Sequence, residues 1–211
     1  MQLYKNFTPI VSVILPTFNR ADYIKRAIDS VITQTYNQWE LIIIDDGSTD
    51  ETFSVVESYI NDFGNVRYMK HKNRKLPISL NVGIQVSAGE YITFLGSDDE
   101  YKSDHLELRL NYLLRNTNTD LIHGGIEIIG NPFVKDKNDL SKKVHLSKCT
   151  IGGTFFGKRK VFTELDGFKN LNYSEDSEFF ERAKKKFVIQ KVNFPTYVYH
   201  RDTEDSITNK I

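Results

Sequence analysis

Residues 91–100 read Tyr-Ile-Thr-Phe-Leu-Gly-Ser-Asp-Asp-Glu, an apolar run that stops at two adjacent aspartates, Asp98 and Asp99. A buried strand that ends in paired carboxylates presents hard oxygen ligands of the kind that bind Mg²⁺ or Mn²⁺ beside a phosphorylated ligand. The same residues are also compatible with a turn whose aspartates cap the next helix. The rest of the chain has to decide between these two interpretations.

The sequence around this stretch alternates short apolar runs with amphipathic helical patterns. Strands are predicted at residues 10–15, 40–44, 66–69, 90–95 and 121–123, with Pro16 ending the first of them. Helices are predicted between the strands, one of them from Leu76 to Val86, and two are expected to be capped by Ser48 and Ser103. The helix after Ser103 is expected to have an apolar face formed by Leu106, Leu110, Leu113 and Leu114. This alternation predicts an α/β sandwich with a mostly parallel central sheet in a single domain.

Polar residues follow three of the predicted strands, at 17–20, 45–48 and 97–100. In open α/β sheets, ligands bind beyond the carboxyl ends of the strands. The three clusters therefore predict one common site. The second half of the chain is less regular: residues 135–143 are expected to form a charged loop, and helices are predicted from about Arg159 and Glu175.

Composition sets further bounds on function. The 211 residues include 28 lysines and arginines and 28 aspartates and glutamates, so net charge does not favour binding to nucleic acid or to an anionic membrane. A single cysteine, Cys149, excludes an internal disulfide framework and suits a reducing compartment. Because no apolar run approaches the roughly 18 residues of a membrane span, a cytoplasmic protein is expected, with peripheral membrane association left open.

Common phosphate-binding motifs are missing from the sequence. The first strand is followed by Pro-Thr-Phe-Asn-Arg at residues 16–20, which is neither a dinucleotide fingerprint nor a Walker loop. A diphosphate bound here would therefore need a metal ion to neutralise it, and Asp98 and Asp99 offer a site for one.

An ordered set of motifs resembles the GT-A glycosyltransferases of family 2, which are inverting enzymes. These motifs are residues 11–20, 34–36, 39–50, 81–83 and 88–95, followed by 152–154, 166–168, 175–176 and 199–201. The resemblance covers roughly Thr8 to Thr208. It implies a GT-A, Rossmann-like α/β/α fold, with a nucleotide-sugar-binding half at about 8–123 and an acceptor-side half at about 124–211.

The resemblance also implies roles on the donor side. Asp46 matches the carboxylate that accepts a hydrogen bond from the nucleotide base, which suits the N3–H of uracil, while Asp45 is expected to support the loop. The other residues expected near the nucleotide sugar are Pro16, Thr17, Phe18, Asn81, Asp98 and Arg201. The basic stretch 67–75 is most often explained as solvated surface, and Lys72 or Arg74 is the residue of that stretch that could touch the diphosphate.

The divalent cofactor, Mn²⁺ or Mg²⁺, is expected on Asp99 first, with Asp98 on the metal or the ribose and His200 as a further ligand. A surface or core histidine explains His200 at least equally well. The chain departs from the common family form at Gly96, where that form carries an aspartate. On the acceptor side, the resemblance makes Asp176 the catalytic base, with Glu175 beside it and with Gly152 and Gly153 shaping the acceptor site. Helix-terminus electrostatics alone could also account for Glu175 and Asp176.

The function expected from these features is metal-dependent transfer of a sugar from a nucleotide-diphosphate sugar, UDP-linked in the first instance, to an acceptor hydroxyl. A saccharide or lipid-linked saccharide is the expected acceptor, with a role in bacterial surface polysaccharide synthesis by family analogy. Two alternatives stay open. One is a nucleotide-sugar-binding module that has lost catalysis because Gly96 replaces an aspartate of the metal site. The other is a sugar nucleotidyltransferase, which would require a glycine-rich basic loop after the first strand.

Overall fold

The structure is a computed structural model that describes residues 7–136 and 139–203, without the side chain of Leu140. Its strands are β1 (Val11–Thr17), β2 (Trp39–Asp45), β3 (Val66–Lys70), β4 (Tyr91–Phe94), β5 (Glu100–Tyr101), β6 (Leu121–His123), β7 (Ile126–Ile129), β8 (Phe133–Asp136), β9 (Asp139–His145), β10 (Phe156–Lys158), β11 (Ile189–Lys191) and β12 (Tyr197–His200). Its α-helices are α1 (Ile24–Ile32), α2 (Thr52–Asp62), α3 (Leu76–Val86), α4 (His105–Arg115), α5 (Arg159–Thr163) and α6 (Glu175–Ala183). The last residues of the sequence resemblance, 204–208, lie outside the described part.

A seven-stranded sheet with the order β11-β6-β10-β4-β1-β2-β3 forms the centre of the fold. Its strands are parallel except for β10, which runs antiparallel to both β4 and β6. A three-stranded sheet, β5-β12-β7, lies beside it. The expected mostly parallel α/β architecture is confirmed.

The two faces of the central sheet carry separate apolar cores. Residues of α1, α2 and α4 pack on one face, and residues of α3, α5 and α6 pack on the other. The predicted apolar face of α4 holds for Leu106, Leu110 and Leu113, but Leu114 is 54% exposed. Helices on both faces of the sheet give the α/β/α sandwich that the alternating pattern predicts.

Strand β1 does not end at Pro16 but continues to Thr17, where it still pairs with β2. The ladder explains why the proline is tolerated. The carbonyl of Ile14 accepts from Leu95 on the β4 side, and Pro16, two residues on, faces the same side. Because pairing with β4 stops at Ile14, the missing N–H of Pro16 leaves no ladder bond unmade.

Three further expectations are wrong. Residues 135–136 and 139–143 belong to the antiparallel strands β8 and β9 rather than to a loop, and the cavity-lining residues of these strands include Val134 and Val144. Ser48 does not cap α2, because its hydroxyl accepts from the Asn19 N–H at 2.9 Å while α2 starts at Thr52. Ser103 does not cap α4, which starts at His105. Within the described residues, no helix combines the length and the apolarity that a membrane span requires.

Candidate functional site

A cavity of about 990 Å³ lies at the carboxyl ends of β1, β2 and β4. One side, here called the strand-end wall, is formed by residues 16–20, Asp46 and residues 94–99. The facing side, here called the α6 wall, is formed by residues 148–153 and 171–177. Because parallel strands bring their carboxyl ends to one edge of the sheet, residues far apart in sequence share this cavity.

Most of the predicted site residues line the cavity: Pro16, Thr17, Phe18, Asp46, Asp98, Asp99, Gly152, Gly153, Glu175, Asp176 and His200. Two do not. The side-chain amide of Asn81 donates to the Phe168 carbonyl and accepts from the Phe168 N–H, both at 2.8 Å, and thereby fixes the turn before α6. Arg201 is 8% exposed, and its guanidinium lies against the Asn131 carbonyl at 3.4 Å. Direct contact of either residue with a nucleotide sugar conflicts with these positions.

The two aspartates after β2 have separate tasks. Asp45 is fully buried; its carboxylate accepts from the Ser48 N–H at 2.7 Å and from the Tyr68 hydroxyl at 2.5 Å. The carboxylate of Asp46, 5% exposed, accepts from the N–H groups of Arg74 and Lys75, at 2.7 and 2.9 Å. Asp45 therefore supports the loop, as expected. Asp46 lines the cavity and, with about four lone-pair sites on a carboxylate, can still accept from a ligand.

The basic side chain that reaches the cavity after β3 is Lys75, rather than Lys72 or Arg74. Its backbone has φ of 72°, an unusual conformation for a non-glycine residue, which the hydrogen bond to Asp46 helps to hold. Its ammonium group donates to the Asn172 side chain at 2.6 Å and so connects the strand-end wall to the α6 wall. The sequence offers several lysines here and no pattern that singles out Lys75.

Asp98 and Asp99 differ sharply in their surroundings. Asp99 is 4% exposed, and its two carboxylate oxygens accept from the Tyr197 hydroxyl at 2.5 Å and from the His200 N–H at 2.8 Å. Burial and the charge of Asp98 raise the pKa of Asp99. Among the described residues, the carboxylate of Asp98 has no hydrogen-bond partner, while its backbone carbonyl accepts from Arg26. Asp99 therefore suits the place of first metal ligand less well than Asp98 does, because the Asp98 carboxylate is not committed to partners within the described residues.

His200 does not fit the role of a metal ligand. Its Nε2 lies 2.9 Å from a carboxylate oxygen of Glu100, and its Nδ1 lies 3.2 Å from one of Asp202. With both ring nitrogens facing carboxylates, neither is directed at a cation. No cluster of three or more histidine, cysteine or acidic side chains suited to a metal occurs in residues 7–136 and 139–203.

The available donor set still fits one kind of metal site. Mg²⁺ is usually held by one or two carboxylates, with substrate phosphates and water completing its shell. Asp98 supplies one such carboxylate on the strand-end wall. The residues present therefore fit a cation that arrives with a diphosphate, and they do not form a metal cage of their own.

The α6 wall holds the second pair of acids. The carboxylate of Asp176 accepts from the Gly152 N–H at 3.1 Å and from the Ser177 N–H at 2.6 Å. A side chain at Gly152 would bring a Cβ within 3.1 Å of the Asp176 Cβ, so glycine allows this close approach. Burial, followed by the charge of Asp176, raises the pKa of Glu175 to about 7. One carboxylate is therefore fixed by backbone donors, and its neighbour titrates near neutral pH.

Arg109 supports this wall from beneath and was missed by sequence reasoning. It is fully buried on α4, and its guanidinium donates to the carbonyls of Thr154 at 3.0 Å and of Gly124 at 2.8 Å. Burial lowers the pKa of Arg109 to about 10, so it remains cationic at neutral pH. A signal was present in the sequence, because Arg109 shares the apolar face of Leu106, Leu110 and Leu113.

The sequence profile described as "Glycosyl transferase family 2" matches residues 12–186. A glycosyltransferase of Haemophilus influenzae, itself uncharacterised, is 38% identical over 182 residues, which cover 82% of this chain and 70% of that protein. TuaG of Bacillus subtilis, named for teichuronic acid biosynthesis, is 38% identical over 111 residues, which cover 52% of this chain and 44% of TuaG.

Solved structures show the same fold. TarS of S. aureus in complex with UDP-GlcNAc aligns with a TM-score of 0.77 at 22% identity, covering 95% of this chain and 61% of the TarS chain. The mannosyltransferase PcManGT of Pyrobaculum calidifontis, in complex with GDP-Man and Mn²⁺, aligns with a TM-score of 0.72 at 21% identity, covering 92% of this chain and 57% of that one. The chain thus spans about three fifths of these solved chains. On the family profile and the similarity to the Haemophilus protein, the chain belongs to glycosyl transferase family 2.

Proposed function

We propose that this chain transfers a sugar from a UDP-sugar to an acceptor hydroxyl with inversion at the anomeric carbon. The observation that carries the proposal is that one cavity is lined by Asp46, Asp98 and Asp176, which belong to three different segments of the fold. A nucleotide sugar needs recognition at its base, charge neutralisation at its diphosphate and a base near its anomeric carbon. These three carboxylates are distributed over both walls in a way that suits those needs.

The strand-end wall would hold the nucleotide. Asp46 can accept from the N3–H of uracil, and Phe18, 43% exposed at the cavity edge, offers an apolar surface to the base. Lys75, which lines the cavity, would meet the diphosphate. The TarS complex contains UDP-GlcNAc and the PcManGT complex contains GDP-Man, so a nucleotide-diphosphate donor has support from both, and uracil in particular is part of the proposal.

Asp98 would hold a divalent cation, and Lys75 would add a second positive charge for the diphosphate. The Mn²⁺ in the PcManGT complex supports a metal in this role. When bound, such a cation stabilises negative charge on the departing diphosphate without a protonated side chain. Asp99 and His200 would shape the loop, because the Asp99 carboxylate is tied to Tyr197 and the His200 ring lies against Glu100.

Asp176 would accept the proton of the acceptor hydroxyl while that oxygen attacks the anomeric carbon. The new bond forms on the face opposite the diphosphate, and the bond between carbon and the diphosphate oxygen breaks. Its electron pair leaves with the nucleoside diphosphate, so the sugar changes its anomeric configuration. The backbone donors at Gly152 and Ser177 keep the Asp176 carboxylate in one orientation for this step.

The acceptor class is proposed by analogy. TuaG is named for teichuronic acid biosynthesis, which supports a saccharide acceptor in bacterial surface polysaccharide synthesis. A lipid-linked saccharide would meet the same cavity.

Calorimetry with UDP tests the donor part of the proposal. We expect UDP to bind more tightly with Mn²⁺ than without it, and GDP to bind more weakly than UDP. The Asp98→Asn variant should lose the metal effect while retaining metal-free UDP binding. If Mn²⁺ left the affinity of the parent protein for UDP unchanged, metal-dependent transfer as stated here would be wrong.

A binding module without turnover is the second candidate, and Gly96 is the observation that favours it. A panel of nucleotide sugars, screened for slow donor hydrolysis, separates the two. Hydrolysis of one donor that is lost in Asp176→Asn supports transfer. Tight binding of a donor without hydrolysis or transfer to any offered saccharide supports the binding module. The nucleotidyltransferase alternative has no such observation, because residues 16–20 are not a glycine-rich basic loop.

A further inference from the structure

We propose that Tyr197 and Asp99 form a positioning pair that sets the loop bearing Asp98, and that Gly96 is required because the Asp99 carboxylate occupies the space beside it. The pair itself is visible in the protein without ligands. Its effect on the cation at Asp98 rests on the proposed function.

The hydroxyl of Tyr197 is the centre of this arrangement. It donates to the Asp99 carboxylate at 2.5 Å and accepts from the Gly96 N–H at 3.2 Å. The second Asp99 oxygen accepts from the His200 N–H at 2.8 Å. Both ends of β12 are thereby tied to the loop between β4 and β5. Tyr197 is 2% exposed and Asp99 is 4% exposed, so water cannot readily replace these partners.

Space around Gly96 explains why this chain has no aspartate there. A Cβ at residue 96 would lie 2.7 Å from Oδ2 of Asp99 and 3.2 Å from Oδ1 of Asp98. Any side chain would therefore displace one of these carboxylates, and an acidic one would add a repelling charge. The position of Asp99 and the glycine at 96 are two parts of one arrangement.

The same hydroxyl also limits the α6 wall. A Cβ at Gly153 would collide with the phenol oxygen of Tyr197. Tyr197 thus lies between Gly96, on the strand-end wall, and Gly153, beside the Asp176 partner Gly152. One side chain fixes the distance between the segment that would hold the donor and the segment that would hold the acceptor.

Two substitutions and their combination test the pair: Tyr197→Phe, Asp99→Asn and the double variant. Denaturant unfolding of the ligand-free proteins should show that both single variants are less stable than the parent. The free energy of unfolding of the double variant should be no lower than that of the less stable single variant. Tyr112→Phe is the matched control, since this half-buried tyrosine packs on Phe194 and its hydroxyl has no hydrogen-bond partner in the described residues. Additive losses would overturn the pair.

A second measurement separates an effect on positioning from an effect on stability. It is the Mn²⁺ concentration that gives half of the maximal enhancement of UDP binding, determined under conditions in which every variant is fully folded. We expect Tyr197→Phe and Asp99→Asn each to raise it about three- to tenfold, although Tyr197 touches no cation, and Tyr112→Phe to leave it unchanged. If Asp99→Asn abolished the metal effect while Tyr197→Phe matched the parent, Asp99 would be a ligand and the proposal would be wrong. Unchanged values in both variants would equally overturn it.

Gly96→Ala tests the space argument by itself. We expect this variant to lower the unfolding midpoint of the parent protein, and to have little further effect in an Asp99→Gly background, where the carboxylate is gone. An equal loss in both backgrounds would show that Asp99 does not set the need for glycine. These unfolding results do not require nucleotide binding, so a failure of the proposed function would leave them intact.

Discussion

Asp46 on the strand-end wall and the Glu175–Asp176 pair on the α6 wall both present acids to the central cavity, but their surroundings differ. Asp46 accepts two backbone N–H groups from the turn at residues 74–75. On the α6 wall, Asp176 also accepts two N–H groups, yet Glu175 beside it has a pKa raised to about 7. The first arrangement suits permanent recognition of a ligand group, and the second suits movement of a proton near neutral pH.

The largest effect is expected from Asp176→Asn. An amide cannot accept a proton from the acceptor, so kcat should fall about 10³-fold, within the range usual for loss of a general base. UDP affinity should stay within about twofold, because the strand-end wall is untouched. Steady-state kinetics with the active donor and calorimetry with UDP measure the two quantities.

Glu175→Gln is the matched control for this variant, with a much smaller loss in kcat. If Glu175→Gln lost as much as Asp176→Asn, the proton would have to be assigned to the pair rather than to Asp176. An unchanged kcat in Asp176→Asn would contradict the contrast between the two walls.

Arg109→Met should cause the largest loss of stability. The substitution removes the donors to the carbonyls of Thr154 and Gly124 and leaves them buried. Each unsatisfied group costs about 1–3 kcal/mol, so the free energy of unfolding should fall by about 3 kcal/mol. Urea unfolding measures it, and Arg115→Met, an exposed position on the same helix, is the control. Equal stability of the two variants would show that Arg109 does not support the α6 wall.

Glu175 should also make the free energy of unfolding depend on pH. Its pKa is raised from an ordinary 4.5 to about 7 in the folded protein. The folded state is therefore favoured below pH 4.5, and this contribution is lost as the pH rises through about 7. Relative to Glu175→Gln, the parent should lose about 2 kcal/mol across this range, a figure reduced for partial exposure. Unfolding at a series of pH values measures it, and parallel curves would contradict the raised pKa.

The first half of the fold was accessible from sequence because its signals are local. Helix α3 was predicted with the observed bounds, Leu76–Val86, and the buried strands follow from apolar runs. The strand pair β8–β9 was missed because lysines alternate with its inward valines, Lys135 beside Val134 and Lys143 beside Val144, and the lysines dominated the interpretation. The predicted helix cap at Ser48 was also wrong, because the Ser48 hydroxyl accepts from the N–H of Asn19, which is 29 residues away in the sequence.

Most of the residues that line the cavity could be predicted from the sequence, but the hydrogen-bond partners of their side chains could not. Asp46 and Asp98 were found because each follows a strand, and Asp176 was found through the family resemblance; all three line the cavity. The partners of Asp99 could not be found this way, because the Tyr197 hydroxyl lies 98 residues along the chain. Nothing local in the sequence shows which of two adjacent aspartates turns inward.

The smallest effect is expected from Asp46→Asn. The amide retains one accepting oxygen but replaces the other with a donor, which would face the Arg74 or Lys75 N–H and offer less to a base N–H. UDP affinity should fall about tenfold, equivalent to about 1.4 kcal/mol. The affinity for inorganic diphosphate should not change if Asp46 reads the base alone. Calorimetry with both ligands distinguishes base recognition from general damage to the strand-end wall, since equal losses for UDP and diphosphate would indicate that the turn at residues 74–75 had moved and carried Lys75 with it.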